Sequence, residues 1–439
     1  MKYFGTDGIR QKSDKFTPEF LTSIIKGLVD YAGDNIKVLI GGDTRESTEW
    51  ILADLEAALE TFGIEYGNVG VLPTPAINYC FTKMGFDIAI DVTASHNPYT
   101  DNGIKIFEQN TAHGSQKLSE QGRSIIEKAI EENQKYPLVS PSIREDLHNE
   151  AIEIYKEHLK DYIGNVDFSS LHFGLDCANG ATSTIGKSIF EELGAKVELI
   201  NADTSYNTTI NHNCGSTHLE SLCNLVKNQK LDFGIAFDGD GDRILMVDSN
   251  SETIDGDQII AILTDYLDLD SMAITVMANQ GLLNWAKNRK LNLEITPVGD
   301  SNVAAAMREK NIPIGGEQSG HIILPGEATG DGILTALLIC KVLVSTNKKL
   351  AELASIITKF PQVILSFNAT SAQKSKLTTS NAVKDILAQF EQKVKSTDGR
   401  LLVRPSGTEE LIRITIWGND KEKITTLANE LKAKLGEIL

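Results

Sequence analysis

Short runs of near-continuous apolar residues alternate along most of this chain with stretches whose apolar positions recur every three or four residues, the signatures of buried strands and amphipathic helices. In the first third, residues 38–40, 69–72 and 88–92 read as strands, and 20–31, 49–61 and 117–132 as helices. This alternation predicts a layered α/β domain on a mostly parallel sheet. Pro137 and Pro141, in a stretch without clear period, mark a boundary. A second unit follows, with helices over 150–162, 183–193 and 219–228 and strands over 172–176, 197–200, 233–237 and 244–248. A third places strands at 273–277 and 294–297 between helices, then a Gly-rich loop and an apolar helix over 332–344. The last unit differs in order: strand 363–369, helix 382–394, strands 401–403 and 411–417, helix 422–439. The expected class is α/β in four domains, 1–148, 149–251, 252–362 and 363–439, three similar mixed α/β sandwiches followed by a smaller α+β domain.

With 439 residues the chain is too long for one core, in keeping with that division. Lys and Arg number 42 against 60 Asp and Glu, a net charge of −18. That balance argues against nucleic-acid and anionic-membrane partners, so an anionic substrate would need locally gathered cations. Cys80, Cys177, Cys214, Cys223 and Cys340 are scattered and form no C-x-x-C pair, which favours thiols in a reducing compartment. The start, MKYFGTDGIRQ, has no apolar secretory core, and the apolar run from 333 to 344 is too short and interrupted to span a bilayer. A cytoplasmic location is the expectation.

The most specific chemical signal is Asp238-Gly239-Asp240-Gly241-Asp242-Arg243. On a regular strand its three carboxylates would be strung out, but interleaved glycines let the backbone curl until they converge on one hard cation. Three protein oxygens leave positions open for phosphate or water, as Mg²⁺ prefers in phosphoryl transfer. An EF-hand fails, because Arg243 stands where that loop needs Gly and Ser249 where it needs Glu. A solvated acidic turn is the plain alternative, weakened by the apolar strands on both sides.

Thr93-Ala94-Ser95-His96-Asn97-Pro98 closes the apolar run 86–92 and reads as a functional loop after a strand. Ser95 is its candidate nucleophile and His96 its apparent base, yet adjacent side chains in extended chain point to opposite faces. The G-x-S-x-G elbow is absent, with Thr93 and Asn97 at the glycine positions. Gly186-Lys187-Ser188 nearly satisfies a P-loop, but Ile185, Ile189 and Leu193 carry a helical period through it, with Gly186 inside the helix. Gly315-Gly316-Glu317-Gln318-Ser319-Gly320-His321 sets an acid, a hydroxyl and an imidazole among glycines, suited to sugar hydroxyls. Arg404-Pro405-Ser406-Gly407-Thr408-Glu409 offers a guanidinium and two hydroxyls to a phosphate. Near the start, residues 4–10 form a Gly-punctuated turn that delivers Arg10. Ordinary turns are the alternative reading of each.

Taken together, FGTDGIR (4–10), TASHNP (93–98), DNGIK (101–105), DGDGDR (238–243), GEQSGH (316–321) and RPSGTE (404–409) resemble the α-D-phosphohexomutases in order and spacing. GVLPTPA (70–76), DCANGA (176–181), NCGST (213–217) and Gln318 lean towards the branch that acts on glucosamine phosphates and supplies UDP-N-acetylglucosamine synthesis. The resemblance implies four domains around a central cleft. It also implies phosphoserine at Ser95, with one Mg²⁺ held by Asp238, Asp240, Asp242 and a phosphoryl oxygen on Ser95. Glucosamine 6-phosphate and glucosamine 1-phosphate would interconvert through a 1,6-bisphosphate, with sugar 1,6-bisphosphate as activator. Arg404, Ser406, Gly407 and Thr408 would grip the phosphate that is not reacting, and Glu317 and Ser319 the ring hydroxyls, with His321 a further candidate. Arg10, Lys105, His96 and Arg243 would offset charge on the transferring group. Family members are often dimers, so a homodimer is an implied partner beside the sugar phosphate.

One position departs from the family pattern: Gly299-Asp300-Ser301-Asn302 lacks the usual basic residue after the aspartate. Lys105 or His96 are then the nearest replacement bases. A phosphoglucomutase or phosphomannomutase is the same-class alternative, and a catalytically silent sugar-phosphate sensor the alternative from another class. Glu410, where the family commonly has Pro, is a smaller departure.

Overall fold

The computed structural model describes residues 2–110, 114–141, 146–406 and 410–439. The first sheet contains β1 (Phe4–Gly5), β2 (Gly8–Lys12), β3 (Lys37–Gly42), β4 (Glu65–Val71), β5 (Ile88–Val92), β6 (Asp101–Asn110) and β7 (Gly114–Lys117). Their order is β1-β2-β6-β5-β3-β4, with β7 on β6. Only β3 with β4 and β3 with β5 run parallel, and the other pairings are antiparallel. The sheet is therefore mixed, where the alternation predicted a mostly parallel one. Parallel strands need a long crossover, whereas residues 93–100 turn straight back, so β5 and β6 form a hairpin with Ser95 in its connection. The helices Pro18–Ala32, Glu46–Thr61 and Glu120–Glu132 seal the core through Leu21, Ile24, Ile51, Leu55, Ile126 and Ile130. A helix over Thr74–Lys83 and the strand β6 have no counterpart in the sequence reading; Pro73 and Pro75 resemble a turn there, yet Pro is at home in a first helical turn.

The second sheet is β8 (His172–Asp176), β9 (Lys196–Ile200), β10 (Phe233–Phe237), β11 (Ile244–Asp248) and β12 (Thr253–Ile254), ordered β12-β11-β10-β8-β9. Here β8 pairs in parallel with β9 and β10, and β10 and β11 form an antiparallel hairpin whose connection is the DGDGDR stretch. The helix expected over 183–193 divides into a 3-10 turn, Ala181–Thr184, and a helix, Gly186–Glu192. Gly186 thus opens a helix instead of lying inside one, and residues 181–184 coil where a P-loop would cradle phosphate.

The third sheet, β13 (Ser271–Thr275), β14 (Asn292–Thr296), β15 (Gly315–Gly316) and β16 (Ile322–Ile323), is ordered β14-β13-β15-β16. The helix Gly332–Thr346 is buried nearly all round. The fourth sheet, β17 (Gln362–Asn368), β18 (Arg400–Pro405) and β19 (Leu411–Trp417), is antiparallel in the order β17-β19-β18. Helices Ser371–Thr379, Asn381–Lys395 and Lys421–Ile438 accompany it, around a core of Phe390, Val394, Ile412, Ile414, Ile416 and Leu431. The chain divides into two compact units, Met1–Met277 with Asn292–Ile356, and Ala278–Leu291 with Ile357–Leu439. Among the described residues no helix is long and apolar enough to cross a membrane.

Candidate active site

The β5–β6 connection begins as β5 leaves the core, and its backbone then turns left-handed at Ser95, with φ 53°. The Ser95 amide donates to Thr93 Oγ1 at 2.9 Å, and its hydroxyl donates to Asp238 Oδ2 at 2.7 Å. Because the backbone is not extended here, His96 does not point away: its Nδ1 lies 3.4 Å from Ser95 Oγ. Arg243 donates to that same Nδ1 at 2.9 Å, so the ring nitrogen nearest Ser95 is an acceptor. Burial first, and the guanidinium groups of Arg243 and Arg10 next, lower the His96 pKa to about 4.

Asp238, Asp240 and Asp242 each offer a carboxylate oxygen, all within 4.8 Å of one another and all buried. The two glycines between them act differently. Gly241 takes φ 72°, a conformation that glycine adopts without strain. Gly239 lets the loop approach Ser95, since a Cβ there would stand 2.7 Å from the Ser95 carbonyl oxygen. Lys105, on β6, lies at 2.7 Å from Asp240 Oδ2 and 2.8 Å from Asp242 Oδ2. Asp240 Oδ1 and Asp242 Oδ1 are buried without a hydrogen-bond partner among the described residues. Orphaned, converging carboxylate oxygens of this kind are the donor set of a hard divalent cation.

The charges explain the titration pattern. Burial pushes Asp238 well above the usual carboxylate range, reinforced by Asp240 and Asp242. Asp242 is also buried, yet the Lys105 ammonium, then His321 and Arg243, hold it below that range. Lys105 is raised well above an ordinary lysine, because Asp240, Asp242 and Asp7 outweigh its desolvation. Arg243 has its Nε 3.8 Å from both Asp238 and Asp242. Arg10 reaches this group from β2 and pairs with Asp7. Four cationic or imidazole side chains, Arg10, His96, Lys105 and Arg243, thus surround three acids.

The GEQSGH stretch is stitched to the acidic hairpin, as Ile244 donates its amide to Gly320 and Arg243 bridges to His321. Glu317 Oε1 accepts the Gly299 amide at 3.1 Å, Ser319 is exposed, and His321 is buried. His321 Nε2 accepts from the Gly330 amide at 3.3 Å and lies 3.7 Å from Asp300 Oδ2. Asp300 opens the helix Asp300–Lys310, where Ser301 and Asn302 stand. Lys117 pairs with both Asp7 and Asp300 beside them, a cation that the sequence reading did not single out. In the C-terminal unit, Arg404 lies half-buried near the end of β18 and Ser406 is buried, its carbonyl accepting from Lys374. Gly407 and Thr408 lie outside the described residues. The sequence reading also passed over Thr74, whose hydroxyl reaches Asp240 Oδ2 at 3.2 Å, and Asp43 and Arg45. Thr74 sits in the quoted GVLPTPA run, which carries no chemical signal until the fold sets it against the acids.

Family models for phosphoglucomutase/phosphomannomutase match the chain throughout: α/β/α domain I over residues 1–137, domain II over 153–252, domain III over 255–360, and the C-terminal domain over 340–434. The phosphoglucosamine mutase of Caldicellulosiruptor saccharolyticus is 39% identical over 444 residues, covering 98% of each chain. That of Clostridioides difficile is 37% identical over 452 residues, 99% of each. The chain belongs to the phosphoglucosamine mutase family. Parafusin, a Paramecium phosphoglucomutase, shares the fold at a TM-score of 0.75 and 20% identity, over 99% of this chain and 94% of its own. Aspergillus fumigatus N-acetylphosphoglucosamine mutase does so at 0.63 and 17%, over 98% and 94%. As a member of this phosphohexomutase family the chain is an isomerase. Membership also implies a metal, generally Mg²⁺, and Asp238, Asp240 and Asp242 are the buried acidic cluster among the described residues able to hold one.

Proposed function

We propose that this enzyme interconverts glucosamine 6-phosphate and glucosamine 1-phosphate, with Ser95 as the carrier of the phosphoryl group. The observation that carries the reading is the 2.7 Å bond from Ser95 Oγ to Asp238 inside the acidic trio. In the forward direction the Ser95 Oγ–P bond breaks as a bond forms from phosphorus to the sugar O1, whose proton leaves to a base. The resulting 1,6-bisphosphate turns round. Its O6–P bond then breaks as Oγ–P forms again, O6 takes up a proton, and glucosamine 1-phosphate departs. Asp238, Asp240, Asp242 and a phosphoryl oxygen on Ser95 would hold Mg²⁺, which when bound supplies positive charge to the transferring group.

The chain's own side chains support the rest. Arg10, Lys105 and Arg243 carry positive charge around Ser95 and offset what develops on the phosphoryl oxygens. Of the two nearest candidate bases, Lys105 is held as an ammonium by Asp240 and Asp242 and has no lone pair to take a proton, whereas His96 Nδ1 is an acceptor 3.4 Å from Ser95 Oγ, which favours His96. Glu317 and Ser319 are assigned to the ring hydroxyls, and Arg404, Ser406, Gly407 and Thr408 to the phosphate at rest. A sugar 1,6-bisphosphate would prime any Ser95 left without its phosphoryl group.

The test is a panel of hexose 6-phosphates with Mg²⁺, with and without bisphosphate primer, read as kcat/KM, beside intact-mass analysis. Glucosamine 6-phosphate is expected to lead, and Ser95 to carry a phosphoryl that exchanges with substrate. A Ser95→Ala protein with full turnover would overturn the mechanism. Preference for glucose or mannose 6-phosphate would move the assignment to a sibling mutase. The absence of a basic residue at Ser301 and Asn302 favours a second reading, a silent sensor, which predicts a stable or absent modification on Ser95.

A further inference from the structure

Arg45 is fully buried, although nothing in its sequence neighbourhood marks it as functional. Its five guanidinium N–H groups have five acceptors. Nε donates to Asp43 Oδ2 at 2.9 Å. One terminal nitrogen donates to the carbonyls of Pro98 and Asp101 at 2.6 and 3.1 Å, the other to those of Ser95 and Asn97 at 2.7 and 2.9 Å. Four carbonyls of one loop thus converge on a single cation. Asp43 extends the grip to the start of that loop, accepting from Thr93 Oγ1 at 2.7 Å, while Thr93 Oγ1 accepts from the Ser95 amide. Asn211, from the second sheet's side, donates to the Ser95 and Asn97 carbonyls as well.

We propose that Arg45 is a positioning residue for phosphoryl transfer. Its guanidinium gathers the backbone of residues 95–101 and so holds Ser95 in the left-handed conformation that aims Oγ at the acidic trio. Simple space filling does not account for it. An apolar side chain of similar length would occupy the volume without desolvating a charge, but would leave four loop carbonyls without these donors. Lysine cannot substitute, because its single nitrogen has three donors and no planar fork. Ser95 would otherwise be free to leave the rare conformation, since nothing in its own side chain enforces φ 53°.

The inference rests on the phosphoserine reading above. In the full-length enzyme with saturating Mg²⁺, Arg45→Lys and Arg45→Ala are compared with wild type by steady-state kinetics and by single-turnover transfer from phosphorylated Ser95. The expected result is a fall in kcat of about 100-fold, with KM for sugar phosphate unchanged, as misplacement of a reacting group on an ångström scale produces. Millimolar guanidinium should restore part of the kcat of Arg45→Ala, and ammonium should not. Wild-type kcat per folded molecule in both variants would overturn the proposal, whatever happens to Tm. Hydrogen exchange on wild type needs no variant to fold: the Asn97 and Asp101 amides should be protected as strongly as β5, and free-loop exchange there would overturn it. Wild type that turns over with no exchangeable phosphoryl on Ser95 would instead sink the phosphoserine reading itself.

Discussion

Lys105 shows how one residue can serve two charge states of the site. Its ammonium is buried against Asp240 and Asp242, where it supplies positive charge to two carboxylates that have orphaned oxygens beside it. Removing one partner of such a buried cluster typically costs about 3–5 kcal/mol, because the remaining charge keeps its desolvation penalty. Lys105→Met should therefore lower Tm sharply in EDTA. Saturating Mg²⁺ should raise the variant's Tm by more than it raises that of wild type, since a cation on the acids takes over the lost charge. Calorimetry of both proteins with and without Mg²⁺ checks this, and equal Mg²⁺ shifts would contradict it. Lys105 was legible in the sequence only through the DNGIK resemblance. Its contact with acids more than 130 positions away is a product of the fold.

At the scale of elements, the helix Gly332–Thr346 is anchored by a buried acid. Asp331 caps it by accepting from the Leu334 amide at 2.8 Å, and its second oxygen accepts from the Tyr155 hydroxyl at 2.7 Å. Burial raises the Asp331 pKa to about 7, opposed by those two bonds and by His158, and reinforced by Glu327. A folded-state pKa above the unfolded one means that the folded protein holds a proton the unfolded chain has lost. The associated stability is complete below pH ~4 and is lost as pH rises towards 7, a change of up to about 4 kcal/mol. Asn caps helices as well as Asp, so Asp331→Asn should remove this slope and be more stable than wild type at pH 8. Urea unfolding at pH 5 and pH 8 reads the difference, and parallel pH profiles for the two proteins would refute it. The helix itself was plain in its apolar run, but the acid before it looked like any polar loop residue.

At the scale of the molecule, a net charge of −18 coexists with a knot of Arg10, Lys105, Lys117 and Arg243 around the loop that carries Ser95 and the acidic trio. An anionic sugar phosphate must approach a protein of its own sign and is drawn in by that local concentration. Such attraction is screened over about 8 Å at physiological ionic strength. Raising NaCl from 20 to ~500 mM should therefore raise KM for the sugar phosphate several-fold while kcat changes little. A KM insensitive to salt would show that the cations are already neutralised by their acidic neighbours.

The strands, most helices and the chemistry-bearing loops were determined by local pattern. β5, β8, β10, β11 and β19 announce themselves through apolar runs, and Ser95 and the three aspartates through turns whose composition has few structural uses. Side-chain periodicity and turn chemistry depend on neighbours a few positions apart, so the sequence holds them directly. Tertiary structure decided what those neighbours cannot specify. It made the first sheet mixed by folding β6 back on β5, placed His96 beside Ser95 through one left-handed residue, and closed four carbonyls around Arg45. A buried guanidinium or ammonium is costly unless distant groups arrive to satisfy it, and only the folded chain brings Arg45 and Lys105 to their acceptors.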